Sequence, residues 1–413
     1  MIVLVFVGLI LLAHYYLWHR LVRSTTSPGR LRKALTWGVV ALMLLVVATF
    51  VSTRMDVGTW LAWPGYLWLA LLFYLFVFLA VLEIPRAVAA VLLRRAGRRA
   101  SPAPEPVAVL AGTPAPDDVL AGAPDAAQEP VPPPAAMSRR LFLGRTTAAV
   151  AGVGALATVG YGVSSALGDP VIEPVRITLP KLDPRLSGLR FAVVSDIHLG
   201  PLTGRSHTER IVRMINGLRA DVVAIVGDLV DGSVARLGPL AQPLKDLESR
   251  YGAYFVTGNH EYFAPGGFAE WIDELDELGV RSLRNERVEI AHQGAVLDLA
   301  GVNDLNGAPQ GDGPDFAKAL GGRTPGRSTV LLAHQPVQVS EAARHGVDLQ
   351  LSGHTHGGQI VPFNLVVGLQ QPVVSGLATV DGVRVYTTRG AGFWGPPVRV
   401  GAPPEITMLE LRA

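Results

Sequence analysis

Residues 347–359 read VDLQLSGHTHGGQ, a short apolar run followed by two histidines set among three glycines. Alternate side chains of an extended chain point to the same face, so an extended backbone would present His354 and His356 side by side. Neutral imidazole is the commonest metal ligand in proteins, and glycine lets other atoms approach the backbone closely. The stretch therefore predicts either two metal ligands after a buried strand or a turn with two solvated histidines.

The rest of the C-terminal region repeats this arrangement. Four further apolar, β-branched runs end in polar residues: LRFAVVSD (189–196), DVVAIVGD (221–228), GAYFVTGN (252–259) and STVLLAHQ (328–335). Helical patterns such as HTERIVRMINGLRA (207–220) and GFAEWIDELDELG (267–279) lie between them. Alternating strand and helix signals predict a layered α/β domain with largely parallel central strands, in which ligands bind beyond the carboxyl ends of the strands.

The predicted strand ends deliver oxygen and imidazole groups to one edge. A single aspartate after a strand is usually a turn residue, but five successive strand ends with ligand chemistry are hard to explain as turns alone. A metal site is the better interpretation. In chain order the residues are Asp196 and His198; Asp228 and Asp231; Asn259, His260 and Glu261; His334; and His354 and His356.

Taken together, these motifs resemble those of the calcineurin-like metallophosphoesterases. The pattern D-x-H, G-D-x-x-D, G-N-H-D/E, a lone histidine and G-H-x-H is complete and in order over residues 196–356, and the similarity extends over 170–413. The resemblance implies two facing β-sheets flanked by helices. It also implies hydrolysis of phosphomonoester, phosphodiester or pyrophosphate bonds by in-line attack of a hydroxide that bridges two divalent ions.

The resemblance also implies a role for each residue. His260 would protonate the leaving oxygen, and either Asp231 or Glu261 would orient it. Gly357 and Gly358 would leave room for substrate. A mixed carboxylate, imidazole and amide set suits manganese, iron or zinc. By this resemblance one ion is held by Asp196, His198 and His356 and the other by Asn259, His334 and His354, with Asp228 bridging both.

The N-terminal residues 1–99 have a different composition, and three apolar runs predict membrane spans at 2–18, 35–52 and 60–82. The segment after the first span carries five basic residues, the segment after the second has one arginine balanced by Asp56, and the segment after the third carries five arginines. By the positive-inside rule the first and third segments are cytoplasmic, so the N-terminus begins outside.

Two segments connect this region to the α/β domain. Residues 100–137 are rich in proline and alanine, which predicts a disordered cytoplasmic linker. Residues 138–168 begin SRRLFLG and resemble a twin-arginine export signal, although Gly144 stands where lysine is common and the motif is internal. The alternative is an ordinary fourth span over 147–166. Both interpretations place 170–413 on the extracytoplasmic side of a bacterial cell membrane, the first with the twin-arginine translocase as a partner.

Composition narrows the function further. The net charge of +2 without a basic, aromatic-interleaved stripe argues against nucleic-acid binding, and the absence of cysteine excludes disulfides and zinc–thiolate sites. Two classes remain: a membrane-anchored phosphoesterase, and a non-catalytic membrane sensor on the same scaffold. The tail and the membrane segments are similar to a bacterial branch linked to UDP-diacylglucosamine-type lipid pyrophosphates. Phe393 and Trp394 would form an aromatic lip for an acyl chain or a base, or else pack under a loop.

Overall fold

A computed structural model of the chain describes residues 2–55, 57–99 and 139–413. The predicted disordered linker at 100–137 lies outside the described residues. In chain order the helices are α1 (Ile2–Leu17), α2 (Arg30–Arg54), α3 (Ala62–Arg99), α4 (Arg139–Leu167), α5 (Arg205–Gly217), α6 (Val234–Ala241), α7 (Phe268–Glu277), α8 (Phe316–Leu320), α9 (Val339–Arg344) and α10 (Asn364–Val367).

The strands all follow α4. In chain order they are β1 (Val171–Thr178), β2 (Arg190–Val194), β3 (Val222–Val226), β4 (Ala253–Val256), β5 (Val280–Ser282), β6 (Glu286–His292), β7 (Ala295–Gly301), β8 (Thr329–Leu332), β9 (Leu349–Ser352), β10 (Gly376–Val380), β11 (Val383–Thr387) and β12 (Glu405–Arg412). The five runs that predicted strands correspond to β2, β3, β4, β8 and β9, and the two helical patterns correspond to α5 and α7.

Three helical stretches within the described residues are long and apolar enough to cross a membrane: Arg30–Arg54, Thr59–Val88 and Leu141–Leu167. The second and third predicted spans fall in the first two of these, and the twin-arginine-like segment supplies the third. The first predicted span, at 2–18, is not among these three stretches. Its helix α1 has 16 residues, or roughly 24 Å, which by itself falls short of the roughly 30 Å hydrocarbon core, and a π-helix at Trp18–Arg23 continues it.

The chain divides into two compact units. One comprises Met1–Val40 and Leu72–Ala155, and the other comprises Ala41–Leu71 and Leu156–Ala413. The first unit is helical in its described part, and Arg20 pairs with Glu83 at 2.6 Å within it. The second unit contains the whole α/β region, the end of α4 and the turn between α2 and α3.

Within the second unit the strands form two six-stranded sheets. The first has the order β1-β12-β2-β3-β4-β5 and the second β10-β11-β9-β8-β7-β6. Strands β2 to β5 are parallel to one another, as are β7, β8, β9 and β11, whereas β12, β6 and β10 pair with a neighbour in the antiparallel direction. Central parallel strands explain the nearly continuous apolar runs in the sequence, because such strands are covered on both faces.

The main core lies between the sheets and contains side chains of both, among them Phe191, Val193, Leu299 and Leu351. The outer face of the first sheet packs against α5, α6 and α7. The outer face of the second packs against α8 and α9. The predicted two-sheet sandwich flanked by helices is thereby confirmed.

Truncation of Leu299 tests this core. Leu299 is fully buried between the sheets, so Leu299→Ala is expected to lower the free energy of unfolding by about 2–5 kcal/mol, through lost burial and the cavity left behind. Denaturant unfolding of the full chain in detergent, followed by β-sheet circular dichroism, measures the change. Leu377→Ala on β10, whose side chain is 41% exposed, serves as the control and should stay within about 0.5 kcal/mol of the wild type.

Candidate metal centre

The carboxyl ends of parallel strands bring the predicted ligands together. Strands β2, β3 and β4 of the first sheet and β8 and β9 of the second all end at the same edge of the sandwich. The polar residues that follow them form three clusters of His and Asp side chains, and within each cluster the potential ligand atoms lie within 4.8 Å of one another. The clusters are Asp196, His198 and His356; Asp228, His334 and His354; and His198, Asp231 and His260.

The first cluster corresponds to one predicted ion site. The Nε2 atom of His356 lies 3.2 Å from Asp196 Oδ1 and 3.1 Å from Nε2 of His198. His198 Nε2 is 3.9 Å from the same carboxylate oxygen. All three side chains are buried, and two imidazole nitrogens with one carboxylate oxygen form a set that first-row divalent metals bind.

Asn259 and His334 present buried polar atoms that fit a second metal ion. Within the described part of the chain, Asn259 Oδ1 is buried and has no hydrogen-bond partner. His334 Nδ1 lies 2.7 Å from the carbonyl oxygen of Val226, which fixes a proton on Nδ1, and its Nε2 atom lies 3.2 Å from the carboxylate of Asp228. Since a buried polar atom without a partner is costly, Asn259 Oδ1 matches the predicted role of a ligand to a second ion, and His334 Nε2 lies beside the carboxylate expected to share that ion.

Asp228 lies between the two clusters. Its Oδ2 atom is 3.2 Å from His334 Nε2 on one side and 3.9 Å from His198 Nε2 on the other. Its Oδ1 atom accepts a hydrogen bond of 2.9 Å from the backbone N–H of His260. This is the position expected of a bridging ligand, with one oxygen fixed by the backbone and the other facing both clusters.

Asp231 holds two histidines at once. Its Oδ1 atom is 2.7 Å from His260 Nδ1 and 2.8 Å from His198 Nδ1, so the Nε2 atom of each ring points away from it. Burial by itself would lower the pKa of His260, but the carboxylates of Asp228 and Asp231 raise it to about 9. This arrangement of charges therefore favours the protonated form of the ring.

Glu261 has a different role from the one that its position in the motif suggested. It is fully buried, and its carboxylate accepts backbone N–H groups of Gly258 at 2.6 Å, Leu229 at 2.8 Å and Asp228 at 3.1 Å. Burial and the neighbouring Asp228 carboxylate raise the pKa of Glu261 to about 7. Glu261 therefore ties the loop after β3 to the loop after β4, and the contact that orients His260 belongs to Asp231.

The backbone around the site is strained. Non-glycine residues rarely adopt positive φ, which costs on the order of 1–3 kcal/mol each and is found mainly at functional sites. An extended backbone, the condition under which His354 and His356 would share a face, is not present, because both have positive φ and their side chains lie in different clusters. Five predicted ligands have this conformation: Asp196 (φ 52°), His198 (49°), Asp228 (52°), His354 (69°) and His356 (51°).

Glycines allow the loops to approach the ligands closely. A Cβ atom on Gly353 would collide with the carboxylate of Asp196, and one on Gly258 would collide with that of Asp228. Gly357 and Gly358 do not leave room for substrate as expected. A Cβ atom on Gly357 would meet Arg389 at 2.9 Å, and one on Gly358 would meet Asn364, so these glycines accommodate the protein itself.

Sequence analysis missed Arg399. Its side chain is fully buried, donates to the carbonyl oxygen of His356 at 2.8 Å and donates through Nε to that of Gly392 at 2.9 Å. It therefore fastens the loop that carries His354 and His356 to the C-terminal tail. The available signal was composition, because Arg399 is the only charged residue between Arg389 and Glu405.

The two aromatic residues of the same tail, Phe393 and Trp394, lie in different environments. Phe393 is buried under the loop, whereas Trp394 is half-exposed. The backbone N–H of Trp394 donates to Gln359 Oε1 at 2.9 Å, so the tail is tied to the histidine loop at a second point. Of the two expectations for this pair, packing applies to Phe393, and only Trp394 has the exposure that a lip requires.

Removal of the charge between the two clusters tests the bridging position of Asp228. Asp228→Asn is expected to lose one of two bound divalent ions, because an amide supplies no negative charge to hold two cations close together. Elemental analysis of the purified full chain, loaded with manganese or zinc, measures the content. Asp381→Asn on the exposed β10–β11 turn is the matched control and should bind as many ions as the wild type. Two ions retained by Asp228→Asn would contradict the assignment.

Comparison with known proteins agrees with this geometry. Residues 189–358 match the family model of the calcineurin-like phosphoesterases. A transmembrane protein with a metallophosphoesterase domain from Danio rerio is 41% identical over 261 residues, which cover 61% of this chain and 60% of that protein. An uncharacterized metallophosphoesterase of Helicobacter pylori is 40% identical, covering 62% of this chain and 68% of its own length. One from Aquifex aeolicus is 32% identical, covering 58% and 91%.

The matched region covers only part of this chain and only part of its vertebrate relatives. The chain spans about 60% of the length of the vertebrate relatives that it matches. The shared part contains the strand ends, the clustered side chains and the order of motifs described above. On the family model, the relatives and the fold together, this chain belongs to the calcineurin-like metallophosphoesterase family.

Proposed function

We propose that this chain is a membrane-anchored, metal-dependent phosphoesterase that hydrolyses phosphomonoester, phosphodiester or pyrophosphate bonds. The observation that carries the proposal is the carboxylate of Asp228, which lies 3.2 Å from His334 and 3.9 Å from His198 in two neighbouring clusters of ligand-type side chains, together with the buried, unpaired Asn259 Oδ1. Membership of the family supports the reaction class, and the apolar helices support the anchor.

The residues present fit two divalent ions. Asp196, His198 and His356 would hold one, Asn259, His334 and His354 the other, and Asp228 both. Bound there, such ions supply an activated water and neutralise phosphate charge. The proposed set contributes two carboxylates against four positive charges, so the loaded site has a net positive charge and attracts a phosphate group. Manganese, iron and zinc all suit these ligands.

His260 is the proposed general acid. The carboxylate of Asp231 accepts a hydrogen bond from Nδ1–H of His260, so the opposite nitrogen, Nε2, is the one available to a substrate. His260 Nε2 lies 4.0 Å from Asp228 Oδ2, beside the proposed bridging position rather than in either ion's ligand set. From there it can give its proton to the leaving oxygen as the phosphorus–oxygen bond breaks.

The alternative is a membrane sensor on an inactive scaffold. A sensor would not require the complete ligand set, nor would it need Asp231 to orient His260 for proton transfer. The enzyme is therefore the better explanation. Membrane anchoring further favours a lipid or cell-envelope substrate, of which UDP-diacylglucosamine-type pyrophosphates are one example.

Replacement of His260 separates binding from chemistry. His260→Ala is expected to retain both ions and to lower turnover by about 10²–10⁴-fold, the usual contribution of a general acid. Ion content is measured by elemental analysis, and turnover is measured with a mono-aryl phosphate, a bis-aryl phosphate and a lipid pyrophosphate. The control is His345→Ala, which removes a histidine that pairs with Glu341 away from the clusters.

The same assay tests the function itself. Loss of ions in His260→Ala would place this side chain among the metal ligands, and an unchanged rate would remove it from the mechanism. If the metal-loaded wild-type chain hydrolyses none of the three compounds while it binds two ions, the sensor becomes the better description.

The proposed location is the extracytoplasmic face of a bacterial cell membrane, with several crossings. The distribution of basic residues supports it, since arginines follow the first and third predicted spans and precede the last. In this arrangement residues 170–413 are outside. Transport of the folded domain through the twin-arginine translocase would explain the sequence SRRLFLG at 138–144.

Lysine substitution of the arginine pair tests the route. The double variant Arg139→Lys and Arg140→Lys keeps the charge but is expected to trap the domain in the cytoplasm, because twin-arginine export depends on the arginines themselves. Protease added to spheroplasts should digest the wild-type domain and spare that of the variant. Arg98→Lys with Arg99→Lys is the matched control and should behave as the wild type. Digestion of the domain in both the wild type and the variant would show that residues 138–168 are an ordinary membrane anchor. Protection of the wild-type domain would show that it lies in the cytoplasm.

A further inference from the structure

An uncharged, apolar segment follows the histidine loop. Between His356 and Asp381 the sequence contains no Asp, Glu, Lys or Arg. Instead of being buried, several large apolar side chains of this segment are exposed, up to 84% for Leu369 and 70% for Leu365. With Trp394 of the neighbouring tail they form a set that we call the apolar rim: Val361, Phe363, Leu365, Val366, Leu369 and Trp394.

The apolar rim is attached directly to the metal centre. It begins five residues after His356, and Gly358, within the histidine loop, packs against Asn364 of α10. The backbone N–H of Val361 donates to the carbonyl oxygen of Val400 at 3.0 Å, and that of Val400 donates to Gln359 at 2.9 Å. Movement of the rim is thereby limited, because it is tied to the same loop and tail that Arg399 fastens together.

The same tail contacts α4 inside its apolar stretch. The backbone N–H of Arg399 donates to the carbonyl oxygen of Gly162 at 2.9 Å, and a Cβ atom on Gly162 would collide with Val398 and Val400. Gly162 lies five residues before the end of α4 at Leu167, which is roughly 7.5 Å along the helix. If α4 spans the bilayer, Val400 and its partner Val361 lie at the depth of the headgroups.

Two further features place the rim near the helix ends. A Cβ atom on Gly395, next to Trp394, would lie 3.6 Å from the ring of Tyr66, in the first turns of α3, so this part of the tail is close to that ring. Only three residues separate the end of α4 at Leu167 from the start of β1 at Val171, a distance that an extended chain covers in about 13 Å. The α/β region therefore cannot move far from the end of α4.

We propose that the apolar rim inserts into the interfacial layer of the bilayer, and that the metal centre acts on phosphate esters of amphiphiles that remain in the membrane. The proposal rests on the membrane-anchored phosphoesterase put forward above and names its substrate class. Exposed apolar patches of this kind mark interaction sites, and tryptophan favours the headgroup region. A bilayer fits better than a second protein, because the rim carries no charge for specific pairing and is tied to the helix that crosses the membrane.

Site-directed spin labelling tests the position of the rim, and the chain is suited to it because it contains no cysteine. The full chain carrying Leu369→Cys is labelled and placed in nanodiscs of phosphatidylcholine and phosphatidylglycerol. The label is expected to be more accessible to oxygen, which dissolves in the acyl region, than to a water-soluble nickel chelate. Ala291→Cys is the matched control, because it lies exposed near the end of β6 that is opposite the carboxyl ends of β7 and β8.

The accessibility of the label to the two reagents shows whether bilayer, water or protein surrounds the rim. A Leu369 label as accessible to nickel as the Ala291 label would show that the rim is in water and overturn the proposal. A label protected from both reagents would show that protein covers the rim and would overturn it equally. Because accessibility does not depend on turnover, the position of the rim can be decided even if the chain proves inactive.

Activity on two substrates then tests the substrate class. Leu365→Asp with Leu369→Asp should leave hydrolysis of a soluble aryl phosphate unchanged and slow hydrolysis of a lipid phosphate ester in the same nanodiscs by at least about tenfold, because two leucines no longer partition into the interface. Ala291→Asp is the control and should affect neither. Equal rates of the double variant and the wild type on the lipid ester would overturn the assigned substrate class, whereas no hydrolysis of any ester by the wild type would count against the phosphoesterase itself.

Discussion

The burial of Asp228 between two groups of histidines is the constraint on which the rest of the site depends. A carboxylate taken out of water is costly unless other groups compensate it, and here imidazole nitrogens of His334 and His198 lie 3.2 Å and 3.9 Å from its oxygen. Divalent cations at the same position would compensate the charge of Asp228 and give the unpaired Asn259 Oδ1 a partner. The surrounding loops must therefore hold ligands from five strands at one point.

The loops achieve this through strained backbone and very close packing. Left-handed conformations at Asp228 and its counterparts turn the side chains inward, and glycines such as Gly258 let the opposing loop approach. The cost is offset by hydrogen bonds that have no role in chemistry. Glu261 binds the loops after β3 and β4 to each other, and Arg399 binds the loop after β9 to the C-terminal tail. Both side chains are buried, and both act through the backbone.

Arg399 also connects the site to the membrane part of the second unit. Its backbone hydrogen bond to Gly162 and its side-chain hydrogen bond to His356 belong to the same residue. One buried residue thus contacts both α4, through its backbone, and the loop that carries a proposed metal ligand, through its side chain.

The sequence by itself determined five strands (β2, β3, β4, β8 and β9), helices α5 and α7 and the set of candidate ligands, because buried parallel strands require unbroken apolar runs and metal sites require particular side chains. It did not decide between Asp231 and Glu261, whose carboxylates lie in adjacent motifs of similar appearance. It also did not decide the directions of His354 and His356, since their spacing is informative about direction only if the backbone is extended. The tertiary structure decided these points. Hydrogen bonds across the sandwich direct Asp231 to His260 and Glu261 to the backbone, and positive φ angles send the two histidines to different clusters. Such long-range contacts depend on how two sheets meet, which no local pattern encodes.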